Sequence, residues 1–93
     1  MPIDPLPDAW ITYTRELGVA LHRARTARGL SQEKVAYAAG ISAFTYQKFE
    51  KGESRPGTPM NPRLTTLVAL CSVLEVPLVE LLPKDPPNLA LGR

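Results

Sequence analysis

LSQEKVAYAAGISAFTYQKFEKG, residues Leu30 to Gly52, reads as two short helices joined by a tight turn. Ser31 is placed to cap a first helix running through Ala39, Gly40 supplies a left-handed turn residue, and Ile41 plugs the turn. Ser42 then caps a second helix that ends near Lys51 and Gly52. The choices are physical ones. A serine hydroxyl accepts from the N–H groups that the first helical turn leaves free, and glycine enters the left-handed region without a Cβ clash.

The second helix divides cleanly by angle. At about 100° per residue from Ala43, the residues Thr45, Phe49 and Tyr46 fall at roughly 200°, 240° and 300°, which defines an inward arc. The opposite arc carries Ala43, Gln47, Lys51, Phe44 and Lys48. A lysine suits phosphate or guanine and a glutamine suits adenine, so this face fits the reading surface of a helix-turn-helix in a DNA major groove. The alternative is an ordinary solvated helix face.

Upstream, Met1 to Pro7 (MPIDPLP) holds three prolines, so residues 1–8 are expected to form an extended arm, with Asp8 as an N-cap. Trp10, Tyr13, Leu17, Ala20, Leu21, Ala24 and Ala27 recur at spacings of three and four, which predicts a helix from Ala9 to Arg28 closed by Gly29. Trp10 and Ile11 pack either on the carboxyl-terminal helices or on a second subunit.

From Leu17 to Leu82 the chain resembles the Cro and phage-repressor type of helix-turn-helix domain, a relative of xenobiotic-response-element-like regulators. The residues that carry the resemblance are Arg25, Leu30, Ser31, Gln32, Ala36, Gly40, Glu50, Gly52, Pro56 and the apolar stretch from Val76 to Leu82. The resemblance implies an all-α, five-helix, lambda-repressor-like fold across residues 9–82. It also implies an ion pair between Arg25 and Glu50 that ties helix one to helix three, and a phosphate contact by Gln32. In such domains that glutamine often braces the first reading residue of helix three, but Ala43 stands there and has no polar group to brace. Direct specificity is therefore expected from Phe44, Gln47, Lys48 or Lys51, with base contact centred on the Ala43 position and on Phe44, Gln47 and Lys48. Gln32, Ser42, Lys51, Arg55 and Arg63 are the expected phosphate contacts.

Downstream, ESRPGTPMNPR from Glu53 to Arg63 reads as a long loop. It either follows the DNA backbone through Arg55 and Arg63 or is a surface insertion. Leu64, Leu67, Val68, Cys71 and Leu74 mark the buried stripe of helix four, and Pro77 is suited to the first position of helix five, with Leu78, Leu81 and Leu82 apolar. Cys71 is expected to be a small core hydrophobe. Residues 83–93 (PKDPPNLALGR) are expected to form a flexible tail. Val79, Leu89 and Leu91 exceed what the core needs and suggest a dimer contact.

Ninety-three residues with 44% hydrophobic content suffice for one modest core. The amino terminus lacks a basic segment followed by an apolar run, no stretch is long enough for a membrane span, and a single cysteine fits a reducing cytoplasm, bacterial or phage in origin and close to the nucleoid. Net charge is only +2, but it is unevenly spread: between Arg15 and Arg55 eight Lys or Arg face four Asp or Glu, against three and five elsewhere. The basic excess lies on the half that needs to meet phosphates. His22 is expected to be solvated, and the sequence shows no paired carboxylate, Cys/His cluster or glycine-rich phosphate cradle. No catalytic residue, metal or cofactor is expected. The expected partners are double-stranded DNA, a second copy of the chain and a regulatory protein. The expected role is a sequence-specific transcription regulator acting as a repressor-like dimer on a two-fold-related operator. An antitoxin, a restriction-modification controller and an interaction module that has lost DNA binding are the alternatives.

Overall fold

Capping and helical periodicity set the element boundaries of the computed structural model, which describes residues 8–90. The elements are α1 (Asp8–Ala27), α2 (Gln32–Ala39), α3 (Ala43–Lys51), β1 (Glu53–Arg55), β2 (Thr58–Pro59), α4 (Leu64–Leu74) and α5 (Leu78–Leu81). The Ser31 side chain accepts from the N–H of Lys34 at 3.1 Å, and Ser42 accepts from that of Thr45 at 3.0 Å. Gly40 and Gly52 close α2 and α3 at φ 78°, each donating its N–H back to the last turn. The expected arm lies almost wholly outside the described residues. Asp8 proves to be helical, not a cap, and its carboxylate sits in the first turn, where the helix dipole favours it.

The core gathers one or two residues from nearly every element: Leu17 and Leu21 of α1, Val35 and Ala36 of α2, Tyr46 of α3, Leu70 and Leu74 of α4, and Leu81 of α5. Met60 joins them from just beyond β2, with its N–H bonded to the Gly52 carbonyl at 3.0 Å. That overturns the loop reading for residues 53–59. They form an antiparallel hairpin in which Glu53 pairs with Pro59 and Arg55 with Thr58 across an irregularity. Pro56 followed by Gly57 at φ 81° is the combination a type II turn requires, and the Gly57 N–H donates to Glu53 Oε2 at 2.8 Å. The hairpin carries Met60 under the domain, a burial that the polar sequence around it conceals.

The expected stripe of α4 also needs correction. Leu64 is 65% exposed and Val68 50%, whereas Leu70, absent from the stripe, is fully buried. LTTLVALCSVL is apolar almost all round, so periodicity alone does not choose a face. The choice comes from packing, since α4 is wedged against α2 and α5. Cys71 is half-buried among apolar neighbours, and burial pushes its thiol pKa up. Pro77 caps α5 from outside and is not its first residue, because its ψ of 146° is extended. Tyr13 of α1 donates through its hydroxyl to the Pro83 carbonyl at 3.0 Å and stacks on Trp10 at a centroid distance of 5.5 Å, so the amino-terminal turns of α1 are tied to the segment after α5.

Candidate nucleic-acid interface

α3 is oriented by its own inward face. Tyr46 is fully buried and Thr45 and Phe49 are partly so, which turns Phe44 and Lys51 outward, with Gln47 and Lys48 half-exposed between them. Phe44 is 66% exposed, and the Lys48 ammonium lies 4.3 Å from the centroid of its ring. Ala43 is half-buried and packs on the core, in keeping with its lack of a polar group. Ser42 is occupied by its cap: besides accepting from the Thr45 N–H, its hydroxyl donates to Thr45 Oγ1 at 2.9 Å. Arg55 and Arg63 are exposed, on β1 and at the start of α4.

The carboxyl end of α3 is fixed by a polar cluster. Arg25 of α1 donates from Nε to Glu50 Oε2 at 2.6 Å and from Nη2 to Glu50 Oε1 at 3.2 Å, a two-pronged pair whose Glu50 side chain is only 7% exposed. Arg25 Nη1 also donates to the Leu30 carbonyl at 3.0 Å, reaching the start of the helix-turn-helix. Gln32, expected at phosphate, donates its side-chain amide to Glu50 Oε1 at 2.9 Å. His22 is not simply solvated as the sequence suggested. Its Nδ1 lies 3.2 Å from both Glu50 Oε1 and Arg25 Nη2, donating to the first when protonated and accepting from the second when bare.

The electrostatics follow from this crowding. Burial works against the charged form of Glu50, yet the polar groups around it, foremost the Arg25 guanidinium, then the nearby Tyr46 hydroxyl, the Gln32 amide and His22, outweigh it and hold the carboxyl down at about 2. The same carboxylate holds the Arg25 guanidinium above its ordinary value, against the opposing effect of burial. Tyr46 lies beneath the pair, and burial, then Glu50, raises its phenol pKa strongly; its hydroxyl is buried without well-formed hydrogen-bond geometry to any described residue.

Two glycines make the joint possible, and the sequence reading missed the first. A Cβ on Gly18 would stand 2.5 Å from the Glu50 carbonyl oxygen and 2.7 Å from that of Phe49; one on Gly52 would stand 2.7 Å from the Arg15 Cα. The chain of α3 thus crosses α1 backbone to backbone. Gly18 in mid-helix was the available signal, since glycine there costs about 1 kcal/mol against alanine and marks a close approach when tolerated. Outside the joint, Val19, His22, Gln32, Gln47, Glu50 and Lys51 line a cleft of about 400 Å³. Among the described residues no group of His, Cys, Asp or Glu is arranged to hold a metal, and no helix is long and apolar enough to cross a membrane.

Comparison with known proteins places this geometry. Residues 16–82 match the family described as a helix-turn-helix domain. Among solved structures the chain is similar to the restriction-modification controller protein C.AhdI from Aeromonas hydrophila, at 29% identity over 73% of this chain and 94% of that one, with a TM-score of 0.64. It is also similar to the clp gene regulator ClgR from Corynebacterium glutamicum, at 20% identity over 85% of this chain and 71% of that chain, with a TM-score of 0.65. A second ClgR structure matches at 20% identity over 84% and 86% of the two chains, with a TM-score of 0.64. At that identity the ClgR likeness concerns the fold. No curated protein matches.

Proposed function

We propose, for a chain that belongs to the helix-turn-helix domain family, a role as a sequence-specific DNA-binding transcription regulator that works as a dimer. The observation that carries the reading is the division of α3. One face is locked into the core by Tyr46 and to α1 by the Arg25–Glu50 pair, while the other presents Phe44, Gln47, Lys48 and Lys51 outward. A helix held so firmly by one side is suited to carry its other side into a major groove. Phe44 and Lys48 are the base-reading side chains. Lys51, Arg55 and Arg63 contact phosphates, and Gln32, held by Glu50, meets a phosphate through the free N–H groups at the start of α2.

Dimerisation is supported by a physical shortfall and by a surface. One recognition helix buries too little for tight specific binding, so two half-sites are needed. Leu64 and Val68, one turn apart on α4, are exposed together with Val79 on α5, which is 82% exposed. Leu89, expected at the contact, is exposed as well, and Leu91 lies outside the described residues. The likeness to a restriction-modification controller favours that role over an antitoxin. A mobility shift with fragmented genomic DNA at low and moderate salt tests the reading. Retarded complexes that survive moderate salt for a subset of fragments are expected, and no complex at either salt overturns it.

A further inference from the structure

Phe44 and Lys48 sit one helical turn apart and already touch. The ammonium of Lys48 lies 4.3 Å from the ring centroid, a cation held by the negative face of the aromatic ring. The contact places an apolar ring and a cluster of N–H donors side by side on the outward arc of α3. The neighbouring positions leave this pair little company. Ala43 carries no polar group, the Ser42 hydroxyl is occupied by Thr45, and Gln47 lines the cleft toward Gln32, Glu50 and His22.

Base edges in the major groove offer one apolar feature, the C5 methyl of thymine, and guanine offers two acceptors, O6 and N7, that suit a lysine. A methyl group on C5 of cytosine occupies the same place as that of thymine. We propose that Phe44 and Lys48 read, as one unit, a C5-methylated pyrimidine adjacent to a guanine, so that thymine or 5-methylcytosine satisfies the site and unmethylated cytosine does not. The inference rests on the DNA-binding reading given above and adds a consequence to it: affinity for the operator responds to cytosine methylation at this step. Because the ring and the ammonium are preassembled, loss of either partner disturbs recognition of both bases.

The test begins with selection of bound duplexes from a random library by the full chain. At the methylpyrimidine–guanine step of the selected site, duplexes are then compared that carry thymine, deoxyuracil, 5-methylcytosine or cytosine, each with its complement, or 7-deazaguanine for guanine. Wild type should bind the thymine and 5-methylcytosine duplexes within a few-fold of each other and lose about tenfold with deoxyuracil, cytosine or 7-deazaguanine. Phe44→Ala should flatten the methyl preference and Phe44→Leu should keep part of it. Lys48→Met should abolish the 7-deazaguanine effect and also shrink the methyl preference, whereas two independent contacts would leave the latter intact. Selected sites without such a step, or equal binding of thymine and deoxyuracil duplexes, overturn the proposal while the regulator reading stands. Failure to select any DNA overturns both.

Discussion

Where α3 meets α1 and the start of α2, the contact is made by directional groups: a two-pronged guanidinium–carboxylate pair, the Gln32 amide, an imidazole and two glycines that let the backbones of α1 and α3 touch. Where α4 meets α5, the contact is Leu70, Leu74 and Leu81 in a helix pair that carries apolar residues on its outside as well, and neither helix has a side-chain N-cap. The ion pair beside it, between Arg28 just past α1 and Glu75 at the end of α4 at 2.6 Å, is largely exposed and adds little. The difference is one of tolerance. Apolar burial accepts many faces and many neighbours, whereas a charge pair in a narrow crossing accepts one arrangement. The half that presents the candidate reading helix is held by the less forgiving kind of contact.

The contrast breaks most visibly at Arg25. Arg25→Ala leaves the Glu50 carboxylate buried without its partner and should destabilise the domain by about 3 kcal/mol, measured by urea unfolding. Replacing Arg25 and Glu50 together by methionine should cost clearly less. A strictly additive double-mutant cycle would show that the two residues do not act as a pair.

Acid should separate the two halves almost as sharply. The Glu50 carboxyl falls from an ordinary 4.5 to about 2 in the folded chain, so its contribution is fully present above pH 4.5 and is lost as pH falls through 2. About 3 kcal/mol of stability should disappear across that window. Glu50→Gln should remove most of this pH dependence, and an unchanged acid profile in that variant would place the acid-sensitive group elsewhere.

Gly18→Ala sharpens the comparison from the side of shape. The overlap with the Phe49 and Glu50 carbonyls should outweigh the roughly 1 kcal/mol that alanine gains in a helix, for a net loss of about 2 kcal/mol in thermal or urea unfolding. A stabilised variant would mean that the crossing of α1 and α3 yields easily.

The α4–α5 surface should behave in the opposite way. Val68→Ser and Val79→Ser should change the stability of the single domain by no more than about 0.5 kcal/mol, as exposed substitutions do. Sedimentation at micromolar concentration should nevertheless shift toward monomer. Unchanged sedimentation of the double variant would move the dimer contact to the Trp10 end of α1. The smallest effect is expected at Lys51→Ala, which should weaken binding to all sequences alike and reduce the salt slope by about one unit per subunit.

What the sequence determined by itself is what depends on residues within a turn of one another. Ser31, Gly40, Ser42 and Gly52 fix both ends of α2 and α3, and the angular division of α3 separates Tyr46 from Phe44, because capping and helical phase are local properties. The Arg25–Glu50 contact was legible only through family resemblance, since nothing local joins residues so far apart. Tertiary structure alone decided which face of α4 is buried, that Met60 belongs to the core, and that Gln32 and His22 converge on Glu50. A helix apolar on every side has no phase of its own, and a polar side chain with several possible partners takes the one that packing brings within reach. At the crossing of Gly18 with α3, that partner is Glu50.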